Sequence, residues 1–269
     1  MTRDTDREAR YLYCIIKCED ERSFDGLQAI GGDGDQVYTV VHEDLACVVS
    51  HSPDMKYDNT RANMMAHETV IEQVMIEEGF TVLPVRFGTV TRKDSPSPEG
   101  DIRHKLLESR FKEFQNLHNE MEGKVELGLR ALWRDEKAIF DEIVAENKEI
   151  RRVRKSLMGR MDRAPEATHW DRTRIGEMVK AAMDAKRDRE AKKLLSRIRP
   201  ITDKVRENKI IMDRMVLNAA FLVDKRREEA FDELVKRLDE ELGERMVLKY
   251  TGPIPPFNFC EIVVAWEED

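Results

Sequence analysis

The spacing of apolar side chains changes period several times along the chain, and each change predicts an element. Tyr11-Leu-Tyr-Cys-Ile-Ile-Lys17 is rich in aromatic and β-branched residues and predicts a strand. Residues 26–35, with Gly31-Gly-Asp-Gly34, predict a flexible connection, and residues 36–42 and 45–50 predict two strands joined as a hairpin at Glu43-Asp44. Asn59 or Thr60 can cap a helix running to about residue 78. Met64, Ile71, Val74 and Met75 recur on one side of it, and Gly79 is placed to end it. Residues 81–90 predict a further strand, in which Pro84, lacking an amide hydrogen, implies an edge, a bulge or a bend. Asp94-Ser-Pro-Ser-Pro-Glu-Gly100 predicts a loop. A second amphipathic helix is expected over residues 101–121, with Leu107, Phe111, Phe114 and Leu117 at helical spacing and Gly123 at the boundary. This first module reads β, ββ, α, β, α, and a small mixed sheet with helices on one face would bury both helix stripes.

Residues 124–133 then alternate, with Val125, Leu127, Leu129 and Ala131 on one face of a strand. Residues 135–215 read as mainly helical, interrupted near Pro165, and too polar around residues 186–193 to lie inside one core. Extended helices joined by an exposed turn fit that pattern. Residues 218–223 predict a strand. Residues 228–242 carry a helix stripe of Phe231, Leu234, Val235, Leu238 and Leu242, and beyond Gly243 the residues Met246, Leu248 and Tyr250 alternate again. Thr251-Gly-Pro-Ile-Pro-Pro-Phe-Asn-Phe259 must be extended or turned. The class is therefore α+β, with an N-terminal module over 1–122, a C-terminal module over 123–251 holding a long helical insertion at about 135–215, and a proline/aromatic tail over 252–269. The second module reads β–long α–β–α–β and partly repeats the first.

Composition narrows the partners. The 269 residues are 41% apolar and 37% charged, enough for a substantial core under a heavily solvated exterior, and the net charge of −8 argues mildly against general nucleic-acid binding. Residues 135–200 hold 18 basic against 13 acidic residues, a local basic surplus within an acidic chain. The polar start and the short, interrupted apolar run after it do not read as a secretory signal or a membrane span, so a soluble, cytosolic protein is expected. Cys14, Cys18, Cys47 and Cys260 lack the density of a secreted disulfide framework. A spacing of four residues on one strand also holds Cys14 and Cys18 too far apart for an unstrained bridge, so buried thiols are expected.

Reactive residue types are present without a complete constellation. His67-Glu68 opens like a zinc-binding helix motif, but position 71 is isoleucine and the second histidine is missing. His42, Glu43 and Asp44 are adjacent at a hairpin and specify no convergent metal geometry. The glycine-rich segment lacks the Lys-Ser/Thr ending of a phosphate-binding loop, and Ser50-His51-Ser52 has no assignable orienting group. No catalysis, cofactor or metal is expected. The clearest interaction signal from charge is Arg151, Arg152, Arg154 and Lys155, which spread around a helix. They suit an acidic protein surface or, as the alternative function, a nucleic-acid-binding adaptor, although no aromatic platform accompanies them and an exposed, solvated helix is the plainer explanation of them.

The sharpest string is Leu83-Pro-Val-Arg-Phe-Gly88 within Thr81-Val-Leu-Pro-Val-Arg-Phe-Gly-Thr-Val90. Together with residues 11–16, the His67-Glu68 helix and Gly252-Pro-Ile-Pro-Pro-Phe-Asn-Phe259, it strongly resembles the GvpL/GvpF family of gas vesicle proteins, over nearly the whole chain. The resemblance implies two modified ferredoxin-like modules with extended helices. It also implies an accessory or minor structural role in gas vesicle assembly, in the cytoplasm, shell-associated or present during assembly, with the main shell protein and other vesicle proteins as partners. No enzyme activity follows from it. Pro84, Arg86, Phe87 and Gly88 are candidates for scaffold or partner contact. Pro253, Pro255, Pro256, Phe257 and Phe259 form a tail that either docks on its own module or recognises a partner, with Phe257 and Phe259 as two anchors on one side of an extended peptide.

Overall fold

The computed structural model describes residues 9–31, 36–92, 94–158 and 165–266, with the side chains of 157–158 and 165–172 left aside. Gly32, Asp33 and Gly34 of the glycine-rich segment, and residues 162–164 of the expected helix interruption, lie outside the described residues. The chain divides into two compact units, residues 1–126 with 253–269 and residues 127–252.

Unit 1 is built on β1 (Ala9–Lys17), where eight consecutive residues are buried and only Lys17 is exposed. Such a strand needs cover on both faces and a partner on each edge. The sheet order is β2 (Ser23–Phe24), β3 (Val37–His42), β4 (Leu45–Ser52), β1, β5 (Leu83–Pro84). β1 pairs antiparallel with β4 from Ala9↔Ser52 to Lys17↔Leu45, with a bulge between Leu12 and Cys14. The remaining pairs of these strands are antiparallel as well, where the pattern had suggested a mixed sheet; a parallel bridge from Val85 to Ile262 lies outside them. The β3–β4 hairpin turns where expected, with Glu43 at φ 53°.

Helix α1 (Arg61–Ile76) is capped by Thr60, whose side chain accepts from the Asn63 amide, and buries His67, Val70, Ile71, Val74 and Met75. Met64 was expected on that stripe but is 38% exposed; His67 and Val70 are buried instead. Gly79, at φ 75°, turns the chain away after the helix. The second helical stretch starts earlier than its pattern indicates. Ser97 caps α2 (Pro98–Gly100), which runs into a π-helix (Asp101–Glu108) and then α3 (Phe111–Met121). The π-helix packs on β3 and β4, and α3 on β1 and β5.

Unit 2 holds a four-stranded sheet of order β7 (Lys204–Glu207), β8 (Met215–Asp224), β6 (Lys124–Trp133), β9 (Met246–Ile254). Between β6 and β7 lie α4 (Glu136–Glu146), α5 (Lys148–Met158) and α6 (Pro165–Ile198), with Pro165 at the first position of α6, where its missing amide costs nothing. The stretch 135–215 is thus not helical to its end: β7 occupies part of it, and β8 begins at Met215. α7 (Glu228–Leu242) follows its predicted span and buries Phe231, Val235 and Leu238, with the Phe231 ring 5.4 Å from Phe221 and 5.8 Å from Tyr250.

Charge, rather than apolar area alone, fastens the helices of unit 2. Arg245, just before β9, grips both Glu142 oxygens at 2.8 and 3.0 Å and Glu190 at 2.6 Å, while Glu190 also accepts from the Trp133 indole at 2.7 Å. Lys186 bridges Glu142 and Glu146 at 2.8 and 2.9 Å. Hydrogen bonds from Arg245 and then Lys186 hold the Glu142 carboxyl down at about 2. Replacing Arg245 by alanine is expected to cost about 1–2 kcal/mol, less than a fully buried network would, because the pair is a third exposed. Urea titration at neutral pH checks this; unchanged stability would show the network to be ornamental.

Candidate functional site

Two segments whose paired residues Arg86 and Glu261 stand 175 residues apart in sequence meet on unit 1. Cys14 and Ile15 of β1 pair with Pro84 and Leu83, and the Val85 amide donates to the Tyr13 carbonyl at 2.9 Å. On the other side Ile262 donates to the Pro84 carbonyl at 2.7 Å and accepts from the Arg86 amide at 2.9 Å, a parallel bridge between Val85 and Ile262. The segment therefore uses the Val85 and Arg86 amides and the Pro84 carbonyl, and the proline forfeits none of these bonds. Residues 83–84, the Val85 bridge and an antiparallel bridge from Val90 to Tyr11 are all that is strand within the longer run the pattern suggested. Beyond them the chain turns, Thr89 donating from its amide to the Arg86 carbonyl at 3.3 Å, with Gly88 at φ 78°, which an L side chain rarely adopts.

A buried polar relay fixes that turn. The Gly88 amide donates to the Tyr11 hydroxyl at 3.0 Å, and that hydroxyl lies 3.0 Å from Nδ1 of His67. The other face of the imidazole reaches the Val85 carbonyl. One arrangement satisfies every member: Tyr11 O–H donates to Nδ1, and Nε2–H donates to Val85, so His67 is neutral. Burial lowers its pKa from 6.5 to about 4, opposed by the Val85 bond. Around it, Tyr13 stacks on His67 at 5.8 Å and Phe87 meets it edge-on at 5.7 Å. His67, set aside in sequence as half of a metal motif, is a core histidine; among the described residues no cluster of His, Cys, Asp and Glu could hold a metal ion.

Residues 252–254 of the tail still extend β9, and from residue 255 on it is turned. After β9 it bends through bonds from the Phe257 amide to Pro255, and from the Phe259 and Cys260 amides to Pro256. Pro255 and Pro256 are buried, Pro253 is exposed, and Phe257 and Phe259 are half-buried. Phe257 packs on the unit 1 core. Asn258 donates from its amide and side chain to the buried Glu126 carboxylate at 2.7 and 2.5 Å. Arg86 pairs with Glu261 at 2.8 Å, and Trp266 donates to the Val90 carbonyl at 2.7 Å. All four cysteines are free and buried.

Between α1 and these two segments lies a cleft of about 390 Å³. Met64, Phe87 and Phe257 supply apolar walls, and Glu68, Glu72 and Glu261 supply charge. Among the sequence candidates, Pro84, Arg86, Phe87 and Phe257 line it, while Gly88, Pro253, Pro255, Pro256 and Phe259 do not but shape the backbone around it. Met64, Glu68 and Glu72 were not candidates; the available signal was their i, i+4, i+8 spacing on α1. Arg151, Arg152, Arg154 and Lys155 are all exposed on α5 and belong to unit 2.

The model of the family described as gas vesicle synthesis protein GvpL/GvpF matches residues 9–261, from the first residue of β1 to the partner of Arg86. The chain belongs to the GvpL/GvpF family. Gas vesicle protein F of Nostoc sp. (strain PCC 7120) is 25% identical over 86% of this chain and 91% of its own length, and gas vesicle protein F1 of Halobacterium salinarum is 26% identical over 97% of each. Gas vesicle protein L of a Streptomyces species is 28% identical over 98% of this chain and 96% of its own. The crystal structure of GvpF from Anabaena sp. PCC7120 superposes with a TM-score of 0.77 at 24% identity, covering 95% of this chain and 99% of that one, which shows a shared α+β fold with two sheets. This GvpL/GvpF member is a gas vesicle synthesis protein.

The relay predicts a pH dependence. His67 and His118 are both buried with pKa values lowered from 6.5 to about 4, His118 by burial and then by Lys17. The unfolded chain takes up these protons first, so their contribution is complete above about pH 6.5 and is lost as pH falls towards 4, by at most roughly 3 kcal/mol for each histidine. Urea titrations between pH 7 and 4.5 should show falling stability, with a shallower fall in His118→Gln. Tyr11→Phe should cost about 1–2 kcal/mol at pH 7, since the Gly88 amide and His67 Nδ1 both lose their partner.

Proposed function

We propose that this protein is an accessory or minor structural component of gas vesicles that binds the main shell protein and other vesicle proteins through the cleft of unit 1, in the cytoplasm and against the growing shell. The observation that carries the reading is the convergence of residues 83–88 and 255–262 on one cleft. Pro84, Arg86, Phe87 and Phe257, from the two segments that carry the family resemblance, line that concavity. Apolar walls with a charged rim suit noncovalent recognition, and association needs no bond-making group.

The finer architecture proposed for both units is ferredoxin-like. In unit 2 the chain order β6, helices, β7, β8, α7, β9 with strand order β7-β8-β6-β9 is the βαββαβ pattern. In unit 1 the order β3-β4-β1-β5 corresponds to it, with β2 and its connection in place of the first helix.

Deleting the gene in a vesicle-forming host should abolish or deform the vesicles; vesicles of normal number, shape and pressure resistance would overturn the reading. In purified form, Met64→Ala and Phe257→Ala should each weaken binding to the main shell protein, the second by about ten-fold. Met64 is exposed, so its substitution leaves the fold in place and separates lost contact from lost stability. Undiminished affinity in both variants would remove the cleft from the interface.

A further inference from the structure

The cleft carries a charge imbalance that packing within unit 1 does not use. Four carboxylates line it, those of Glu68, Glu72, Glu126 and Glu261, against the single guanidinium of Arg86. Two are engaged within the unit: Glu126 accepts from Asn258, and Glu261 is paired with Arg86. Glu68 and Glu72 have no hydrogen bond or ion pair among the described residues. They stand one helical turn apart on α1, a spacing at which like charges repel. Both are half-buried. Burial, and then the neighbouring Glu68 charge, raises the Glu72 carboxyl. Met64 lies one turn before them on the same stripe, and Phe87 and Phe257 line the same cleft.

We propose that this cleft seats a cationic amphipathic helix of a partner protein, laying its apolar stripe against Met64, Phe87 and Phe257 and setting lysine or arginine side chains against Glu68 and Glu72. The inference rests on the reading of the cleft as the vesicle-protein site and adds the chemistry of the segment that fills it. Charge decides the occupant. A neutral or acidic segment covering Glu68 and Glu72 would strip water from two uncompensated carboxylates, whereas a cation supplies the missing partner and relieves their mutual repulsion. A volume of about 390 Å³ has room for a few anchoring side chains, which suits the face of one helix rather than a whole folded surface.

The test uses the full chain and a labelled leucine–lysine amphipathic helix of about 18 residues, five turns, with a leucine–glutamate helix of the same pattern as control. Fluorescence anisotropy should show binding of the lysine helix alone, weakening as salt rises. The pair Glu68→Gln with Glu72→Gln should weaken it by about ten-fold and flatten the salt dependence, because two charge pairs are lost. The pair Glu233→Gln with Glu240→Gln, exposed on α7 and equal in charge removed, should leave it unchanged. Full affinity in the first pair, or equal loss in the second, overturns the proposal. The same variants are then assayed on the main shell protein. Wild-type binding that the Glu68/Glu72 pair leaves intact overturns the cationic segment while the vesicle-binding reading stands. Failure of the wild type to bind any vesicle protein overturns that reading itself. If sedimentation shows self-association that the Glu68/Glu72 pair and Arg151→Glu with Arg154→Glu each abolish, the occupant is a second copy and a separate partner is overturned.

Discussion

Tyr11 stands on the central strand of unit 1 with its hydroxyl shared between the Gly88 amide and His67, and the surrounding segments are placed by that hydroxyl. The constraint is one of satisfaction. A turn with Gly88 in the left-handed region presents its amide, part-buried, to the buried Tyr11 hydroxyl, and a donor left without that partner would cost more than a hydrogen bond returns. The imidazole completes the arrangement because, when neutral, it accepts on one nitrogen and donates on the other. Pinning residues 85–88 creates the edge to which Ile262 adds, and that edge brings the tail beside α1. The cleft is a consequence of this order of dependence.

Unit 2 solves its packing differently. Its long helices are too polar to be held by an apolar stripe alone, and the guanidinium of Arg245, tied to Glu142 and Glu190, secures them at the start of β9. Glu190 reaches the Trp133 indole at the end of β6, so a charged side chain also anchors a strand terminus. The exposed arginines of α5 belong to this solvated helical layer.

The elements legible in the sequence are those whose side chains report one environment. β1 and β4 show as runs of apolar residues because both their faces are covered, and β6 and α7 show an alternation or a repeat because one face of each meets the core throughout. β7 was hidden: Lys204-Val-Arg-Glu207 is an edge strand with a polar composition that guards its free side, so it reads like the helix before it. The stretch 98–121 reads as one helix beginning at residue 101, since periodicity does not distinguish a π-helix from an α-helix over two turns. Met64 illustrates a different limit, for a methionine at core spacing looks the same whether it meets a core or a cleft. At the site, the two signature strings were visible one by one. Their meeting was not, because nothing local in Arg86 names Glu261 as its partner. His67 was visible as a failed metal ligand and as part of the family resemblance but not as a core histidine, since its real partners, Tyr11 and the Val85 carbonyl, are distant or backbone.

The central claim is that residues 83–88, 255–262 and the Met64–Glu68–Glu72 stripe act as one surface for vesicle proteins. Amide hydrogen exchange with and without the main shell protein tests it most directly. Slowed exchange is expected together in the first turns of α1, across 85–89 and across 257–262, with unit 2 unchanged. Protection confined to unit 2, or to one of the three segments without the others, would contradict the claim.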